Sequence, residues 1–288
     1  MFKGSFVAIV TPFKRGKIDY TKFRELVEFQ IKNGTDGIVP AGCTGEAATL
    51  AHEEQKKLVK FTCEIVNKRV SVIGGAGSNS TAEAVCLTKY AKRSGCDGVL
   101  SITPYYNKPT PEGQFRHYKA VAKSADIPVM VYNVPSRTGI SISPQTIARL
   151  SKIENITAIK EASGSLDQVS RILSMCDITV LSGDDSLTLP MMSIGAKGVV
   201  SVVANLVPRE VHNMVSCFLE GDLERARKLH YRILPLAGAM FIETNPIPVK
   251  TSMRMLRRLN GEFRLPLCGM EKENETKLKK ALKKYGLI

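Results

Sequence analysis

Residues 128–160 of this 288-residue chain read PVMVYNVPSRTGISISPQTIARLSKIENITAIK and contain one complete unit of the pattern that determines the fold. Two runs rich in valine and isoleucine, Pro128 to Val134 and Ile156 to Lys160, have the composition of buried parallel strands. Between them, Ser143 precedes Pro144, which pairs a helix-capping side chain with the residue favoured at the first helical position. The segment is therefore predicted to form a strand, a helix and a second strand.

The same unit repeats along most of the chain, at the spacing that a strand plus a crossover helix requires. Eight such units predict an α/β protein, a closed (β/α)8 TIM barrel, with catalytic groups on the loops that follow the C-terminal ends of the strands. The eight predicted strands are Phe6 to Val10, Gly37 to Ala41, Ser71 to Gly75, Gly98 to Thr103, Pro128 to Val134, Ile156 to Lys160, Ile178 to Ser182 and Gly198 to Val203.

Beyond Asn205 the strand pattern stops and the sequence becomes helical. We expect the catalytic barrel in residues 1–207 and a C-terminal helical extension in residues 208–288, packed on the barrel. The alternative is an open doubly wound sheet, which would require a dinucleotide-binding glycine fingerprint after an early strand. The glycines at positions 74, 75 and 77 do not give that fingerprint and are interpreted as a tight turn.

The chain carries a formal net charge of +14, and much of the excess lies in residues 250–288, where eleven Lys and Arg face four Glu. Apolar residues occur there at helical intervals, which is typical of a solvated outer helix. Because no recognised nucleic-acid module accompanies the charge, we expect no nucleic-acid partner. A basic field still helps to attract anionic substrates.

Cysteine usage and the first residues indicate the compartment. Seven cysteines without a Cys-x-x-Cys pair favour reduced thiols in the cytoplasm over a disulfide framework. The start of the chain enters a strand pattern directly, without a hydrophobic signal region, and no apolar stretch approaches twenty residues, so neither secretion nor a membrane association is expected. Four histidines without a close His/Cys cluster predict no metal.

Lys160 stands at the end of the sixth predicted strand, after the apolar run Ile156 to Ile159. An amine between apolar neighbours is disfavoured in its charged form, so it can act as a nucleophile near neutral pH. The structural alternative is an ion pair with a carboxylate such as Glu161.

The ends of other predicted strands supply further polar groups. A barrel would bring Lys160 together with the phenols of Tyr106 and Tyr132, the loop 42–46 and the cation of Arg137. An amine beside a phenol suits imine chemistry on a ketone, in which the phenol moves protons. Taken singly, the two tyrosines would be ordinary packing aromatics and Arg137 a surface cation.

Six stretches, in order over nearly the whole chain, resemble the dihydrodipicolinate synthase family of pyruvate-dependent class I aldolases. The barrel and a Schiff-base lysine are common to the wider group, so those features alone do not select a substrate. The stretches are Gly42-x-Thr44-Gly45-Glu46, Tyr105-Tyr106-Asn107, residues 132–139 (YNVPSRTG), Ile159-Lys160-Glu161-Ala162, Ser182-Gly183-Asp184-Asp185 and residues 245–250 (NPIPVK).

The resemblance implies a condensation of pyruvate with L-aspartate 4-semialdehyde in the biosynthesis of lysine and diaminopimelate, without a cofactor. Lys160 would form an imine with pyruvate, and Tyr132 would be the acid and base. Tyr106 is similar to the phenol that reaches into the site of a neighbouring subunit and completes a proton relay. The active form is therefore expected to be a homotetramer built from two tight dimers.

The resemblance also implies the residues that bind the substrates. Thr44 would bind the pyruvate carboxylate with help from the backbone near Val200, and Gly183 would line the same cavity. Arg137 would bind the carboxylate of the second substrate through its planar guanidinium. A cation at that position argues against a sibling lyase that splits a keto-sugar acid. A third alternative is a barrel without activity that binds an anionic partner.

Two features depart from the family pattern. Cys43 occupies the position where the relay usually has a threonine, and a thiol is a weaker hydrogen-bond donor than a hydroxyl; the alternative is that Cys43 only packs. The second departure concerns a regulatory site for lysine: Ala47 and Gln55 differ from the polar residues that are often found beside such a site. The residues that match the lysine-binding positions of feedback-inhibited relatives are His52, Asn79, Glu83 and Tyr105.

Overall fold

Eight parallel strands close into a barrel at the centre of the structure, a computed structural model that describes residues 2–288. Strand order follows the chain, and the first strand pairs with both the second and the eighth. The predicted TIM barrel is confirmed, and each strand begins within two residues of its predicted start. The strands are β1 Gly4–Ala8, β2 Gly37–Val39, β3 Ser71–Gly75, β4 Gly98–Ile102, β5 Val129–Asn133, β6 Ile156–Glu161, β7 Thr179–Ser182 and β8 Gly198–Ser201.

Helices surround the barrel, and several begin at a capping residue, among them Ser143, which the sequence indicated. The side-chain oxygens of Ser80, Thr110 and Ser143 each accept the backbone N–H three residues ahead. The helices are α1 Tyr20–Lys32, α2 His52–Val66, α3 Thr81–Arg93, α4 Pro111–Ser124, α5 Pro135–Thr138, α6 Pro144–Leu150, α7 Leu166–Met175, α8 Thr188–Ser193, α9 Pro208–Leu219, α10 Leu223–Ala239, α11 Ile247–Met255 and α12 Lys272–Tyr285.

Helices α9 to α12 follow the last strand. Helix α9 packs against β1 and β8, as the eighth helix of a barrel does. Leu278 and Leu282 of α12 are fully buried in the apolar core, so the last helix is packed on the rest of the chain. A division into residues 1–207 and 208–288 stays a proposal, and the position of α9 makes residue 219 the better boundary. No helix within residues 2–288 has the length and apolar character needed to cross a membrane.

Two local features differ from the sequence interpretation. An antiparallel hairpin, Phe13–Lys14 with Lys17–Ile18, lies in the loop after β1 and was not predicted, because two-residue strands leave no pattern. The tight turn proposed for the glycines is wrong for Gly74 and Gly75, which belong to β3, as the predicted strand Ser71 to Gly75 required. A Cβ at Gly75 would lie 2.0 Å from the Ala41 carbonyl oxygen, so glycine is required there for close approach of two backbones.

The interior of the barrel is filled by side chains of the strands. Alternate residues of a strand point to opposite faces, so Ala158 faces the inner cluster while Ile159 faces the helices. Lys160 has the same parity as Ala158 and therefore points inward. The inner cluster consists of Phe6, Ala8, Val39, Ile73, Leu100, Met130, Tyr132, Val134, Ala158, Leu181 and Val200.

Candidate active site

Lys160 lies at the C-terminal end of β6, directly beside Tyr132 of β5 in the sheet register. Its side chain is buried, and Nζ lies 4.2 Å from the centre of the Tyr132 ring. No ion pair formed by residues 2–288 includes this ammonium; the buried lysine that does have a carboxylate partner is Lys250. A buried amine without a counter-ion is a costly arrangement that marks a functional group.

Glu161 does not pair with Lys160, so the alternative left open by the sequence is wrong. Its carboxylate accepts hydrogen bonds from the Asn133 amide at 3.0 Å, the Ser163 backbone N–H at 2.8 Å and the Gln168 amide at 3.2 Å. These partners lie on the outer face of the strand and leave the inner face to Lys160. The carboxylate instead fixes the loop that follows β6.

Burial shifts the proton affinity of both central groups. Desolvation lowers the pKa of Lys160, although the nearby carboxylates of Asp184 and Asp185 oppose this shift. Burial also raises the pKa of Tyr132 well above its usual value, and the neighbouring Cys43 thiol acts in the same direction. The amine is therefore more easily obtained in its neutral, nucleophilic form, while the phenol retains its proton at neutral pH.

Gly183 lies against the side chain of Lys160. A Cβ at this position would be 3.0 Å from Lys160 Cε and 2.6 Å from the Ala162 Cβ. The backbone N–H of Gly183 donates to the Glu161 carbonyl at 2.7 Å, which holds the loop after β7 against the end of β6. The predicted lining position is thus next to the amine.

Thr44 and Arg137 meet through a residue that the sequence interpretation gave no role. The Asn245 amide donates to Thr44 Oγ1 at 3.0 Å, and the Asn245 backbone carbonyl accepts from Arg137 Nη2 at 2.8 Å. Both Thr44 and Asn245 are buried. Asn245 Oδ1 has no hydrogen-bond partner among residues 2–288, which leaves an acceptor free in the site. The signal that could have identified Asn245 is its place at the start of the NPIPVK stretch.

Val200 is fully buried on β8, opposite Phe6 of β1 in the sheet register. The backbone that follows it is fixed by Asp185, whose carboxylate accepts from the Ser201 hydroxyl and from the backbone N–H groups of Val202 and Val203. This arrangement joins the ends of β7 and β8. A second acidic residue, Asp184, was also given no role from the sequence; burial raises its pKa to about 6, and the Lys160 charge opposes that shift.

Tyr106 is not brought into the site by a single chain. Its side chain is 89% exposed and its backbone has a φ of +68°, which is uncommon for a residue with a Cβ. Within the described part of the chain its hydroxyl makes no hydrogen bond to Cys43 or Tyr132. An aromatic ring presented to solvent in this way is available to a second copy of the chain.

The four residues matched to a lysine site do lie together, around the start of α2 and α3. His52 Nε2 is 3.7 Å from the Glu83 carboxylate, and the Asn79 amide donates to the Tyr105 carbonyl at 3.2 Å. Burial and the Glu83 charge raise the pKa of the Tyr105 phenol. The cluster has the carboxylate, amide and phenol groups that a small cationic amino acid would require.

Metal-binding residues do not gather at any point of residues 2–288: no three His, Cys, Asp or Glu side chains are placed to share an ion. All seven cysteines are free thiols. The groups present at the site are those of Lys160, Tyr132 and their neighbours. A nucleophilic amine, a protonated phenol and hydroxyl and guanidinium donors can together bind a keto acid and form an imine with it.

Comparison with known proteins agrees with this geometry. A model of the Dihydrodipicolinate synthetase family matches residues 1–285. The 4-hydroxy-tetrahydrodipicolinate synthase of Geobacter sulfurreducens is 57% identical over the full length of both chains. Among solved structures, the chloride-inhibited dihydrodipicolinate synthase of Acinetobacter baumannii complexed with pyruvate superimposes with a TM-score of 0.98 at 41% identity and full coverage of both chains. The enzyme of Cyanidioschyzon merolae, solved with lysine bound, gives 0.96 at 41% identity over 100% of this chain and 99% of that one.

Proposed function

The chain belongs to the dihydrodipicolinate synthetase family, and from this premise we propose that it is a lyase that condenses pyruvate with L-aspartate 4-semialdehyde. The product is 4-hydroxy-tetrahydrodipicolinate, on the route to lysine and diaminopimelate. The observation that carries the proposal is the buried Lys160 amine, without a counter-ion and 4.2 Å from the Tyr132 ring. The 57% identical relative supports the same reaction.

The reaction begins when the neutral Lys160 amine attacks the keto carbon of pyruvate. A proton delivered by Tyr132 allows the former carbonyl oxygen to leave as water, which gives an imine. Loss of a methyl proton converts the imine to an enamine, whose carbon attacks the aldehyde of the second substrate. The amino group of that substrate then attacks the imine carbon, closes the ring and releases Lys160.

Four residues bind and orient the substrates in this proposal. Thr44 donates to the pyruvate carboxylate together with the backbone near Val200, and Gly183 leaves room for the lysine and its adduct. Arg137 binds the carboxylate of aspartate semialdehyde. Its Nη2 is fixed on the Asn245 carbonyl, which orients the remaining guanidinium N–H groups. The nucleophile and the proton-transfer groups are all side chains of the protein, so the proposed mechanism includes no cofactor or metal.

Proton exchange with solvent passes from Tyr132 through Cys43 to Tyr106 of a neighbouring subunit. The exposure of Tyr106 supports this crossing, because its phenol cannot complete the relay within one chain. The active form is accordingly a homotetramer of two tight dimers. The free cysteines are consistent with the reducing environment of the cytoplasm, where we place the enzyme.

Lysine is proposed as an effector at the cluster of His52, Asn79, Glu83 and Tyr105. The Cyanidioschyzon merolae relative was solved with lysine bound, which supports lysine as the ligand. The adjacent residues Tyr105 and Tyr106 would connect the cluster to the relay. Initial velocities measured with millimolar lysine should fall below those without it. Velocities that are indifferent to lysine would remove this part of the proposal.

Reduction with borohydride in the presence of pyruvate tests the covalent step. The wild-type protein should gain the mass of a reduced pyruvate adduct on the peptide that contains Lys160, and Lys160→Met should gain none. The exposed Lys197, at the opposite end of the barrel, supplies the control: Lys197→Met should label as the wild type does. Absence of labelling in the wild type would refute the imine mechanism.

A coupled assay then identifies the second substrate. Aspartate semialdehyde and dihydrodipicolinate reductase should give pyruvate-dependent turnover if the condensation is correct. Labelling by pyruvate without turnover of aspartate semialdehyde would favour the sibling lyase. If Arg137 binds the carboxylate of aspartate semialdehyde, Arg137→Ala should raise KM for that substrate more than KM for pyruvate.

A further inference from the structure

Two residues of the family stretches, Glu46 and Lys250, have no part in the scheme above, yet they form the most deeply buried ion pair of residues 2–288. Lys250 Nζ lies 2.5 Å from Glu46 Oε1, and neither side chain is exposed to solvent. The ammonium also donates to the Glu262 carbonyl at 2.7 Å and lies 4.5 Å and 4.9 Å from the ring centres of Phe13 and Phe263. Every direction around the amine is thus occupied by protein.

The pair joins two segments that meet at the active site. Glu46 ends the turn that contains Thr44, and Lys250 lies in the first turns of α11, just after Asn245. A second cross-link, the Asn245 to Thr44 hydrogen bond, connects the same two segments across 201 positions of sequence. Two bridges at different points prevent the Thr44 turn from rotating against α11.

The conformation of the turn indicates that it needs such support. Glu46 has a φ of +55°, a left-handed conformation that costs free energy for a residue with a Cβ. The turn is closed by the Glu46 N–H to Cys43 carbonyl bond at 3.1 Å, and the Thr11 hydroxyl holds the Gly45 carbonyl at 2.7 Å. A strained backbone persists only where its surroundings determine it.

Two apolar side chains would be less costly to bury at these positions than two charged ones. Burial lowers the pKa of Lys250, which the Glu46 carboxylate opposes, so the ammonium depends on its partner. Replacing a buried ion pair by apolar residues is often neutral or stabilising, and its benefit lies instead in fixed geometry. Charges retained at zero exposure beside the Thr44 turn are therefore better explained by orientation than by stability.

We propose that the Glu46–Lys250 pair is a positioning device for pyruvate: it holds the Thr44 turn so that its donors face the keto acid carboxylate beside Lys160. This inference rests on the proposed function. Neither residue contacts the substrate, and both act through Thr44 and Asn245. The chemical step on Lys160 is unchanged, but the pyruvate concentration needed to reach it depends on the pair.

The test compares Glu46→Gln, Lys250→Met and the double variant with the wild type. Measured quantities are the melting temperature, KM for each substrate, and the pyruvate concentration that gives half-maximal borohydride labelling of Lys160. Each single variant should melt earlier, because one buried charge loses its partner. The double variant should regain much of the melting temperature yet need roughly tenfold more pyruvate, a change of about 1.4 kcal/mol in pyruvate binding.

A destabilised control separates positioning from stability. Val121→Ala removes buried apolar contacts in α4, a helix that packs on α3 and α6, so it should lower the melting temperature and leave the pyruvate requirement unchanged. Should the double variant fail to fold, the shape-conserving Glu46→Gln is compared with the destabilised control, and Glu46→Gln alone should then need more pyruvate. A pyruvate requirement that returns to wild type whenever the melting temperature does would overturn the positioning role.

The outcomes also distinguish the two proposals. Wild-type protein that is never labelled by pyruvate overturns the imine mechanism and the positioning role together. Wild-type labelling with equal pyruvate dependence in the variants overturns the positioning role alone. An equal rise of KM for both substrates would likewise contradict it, since Thr44 is assigned to pyruvate.

Discussion

The two ends of the barrel treat their charged side chains differently. At the N-terminal end, Asp36 accepts from the Ser5 N–H at 2.7 Å and lies 3.1 Å from His212 Nδ1. Asp97, before β4, accepts from the Val72 N–H at 2.9 Å and pairs with Lys68 at 3.0 Å. Each of these two carboxylates has both a backbone donor and a cationic or ionisable partner.

At the C-terminal end the central groups lack such partners. Lys160 faces an aromatic ring, Asp184 has its pKa raised to about 6, and Asn245 retains a free acceptor within the described residues. Asp36 and Asp97 are thus satisfied groups that stabilise the barrel, whereas Lys160, Asp184 and Asn245 at the other end keep polar atoms free, as groups that bind a substrate must. Substitution of Asp36 or Asp97 should consequently lower stability, and substitution of Lys160 or its unpaired neighbours should change turnover.

The largest effect is expected from removing the phenol beside the amine. Tyr132→Phe should lower kcat about 100- to 1000-fold, because a positioned acid and base is lost, while the ring and its packing remain. Steady-state kinetics and a melting curve test this. The matched control is Tyr118→Phe, which removes another buried hydroxyl outside the barrel interior and should leave kcat within about twofold of wild type. Similar losses in both variants would contradict a role in proton transfer.

At the N-terminal end of the barrel, Asp36→Ala should lower the unfolding free energy by about 2 kcal/mol, because the buried Ser5 N–H loses its acceptor. The value of kcat/KM should not change. Denaturant titration and kinetics give the two numbers. The Asp36 hydrogen bond raises the pKa of His212 above 6.5, so this pair stabilises fully below pH 6.5 and its contribution is lost as pH rises through the raised pKa. The loss of unfolding free energy in Asp36→Ala should thus be smaller in alkaline than in acidic buffer. A lower kcat/KM in this variant would contradict a purely stabilising role for Asp36.

A smaller effect is expected from Asp184→Asn. The Asp184 carboxylate raises the pKa of Lys160, so its removal should lower that pKa further and move the acid limb of imine formation to lower pH. On that limb, labelling by saturating pyruvate should be roughly threefold faster than in the wild type. The control is Asp177→Asn. Asp177 precedes β7, whereas Asp184 follows it, so this change should not shift the pH profile. A shift to higher pH would show that Asp184 does not act through charge.

The smallest effect concerns the relay. Cys43→Thr should keep kcat or raise it by about twofold, since a hydroxyl is the better hydrogen-bond donor. The exposed Cys86→Ser, which makes the same type of change away from the site, should leave kcat as it was. A large loss in Cys43→Thr would mean that the thiol has a role of its own in this site.

The sequence predicted the barrel because β-branched runs and helix caps act locally. Its strand ends were less accurate: the second predicted strand reached Ala41, whereas β2 stops at Val39, before Pro40 and a left-handed Ala41. Proline has no N–H and a positive φ turns the chain, so the ladder cannot continue. The pairing of Lys160 with Tyr132 followed directly from adjacent strands, which is why these two residues could be brought together in advance.

Contacts that depend on distant parts of the chain were beyond the sequence pattern. Asn245 meets Thr44 only because α11 returns to the mouth of the barrel, and no local signal specifies that contact. The roles of Asp184 and of the Glu46–Lys250 pair depend on burial, which follows from the assembled fold. The relay through Tyr106 requires a second subunit and stays a prediction.

Gly183 sets a limit on how this pocket could be redesigned. Glycine has the smallest side chain, a single hydrogen atom, so no substitution at position 183 can create more space beside Lys160. Efforts to admit a bulkier keto acid would have to enlarge the site at residues other than Gly183. Any side chain introduced at 183 would instead compete with the adduct for the same space.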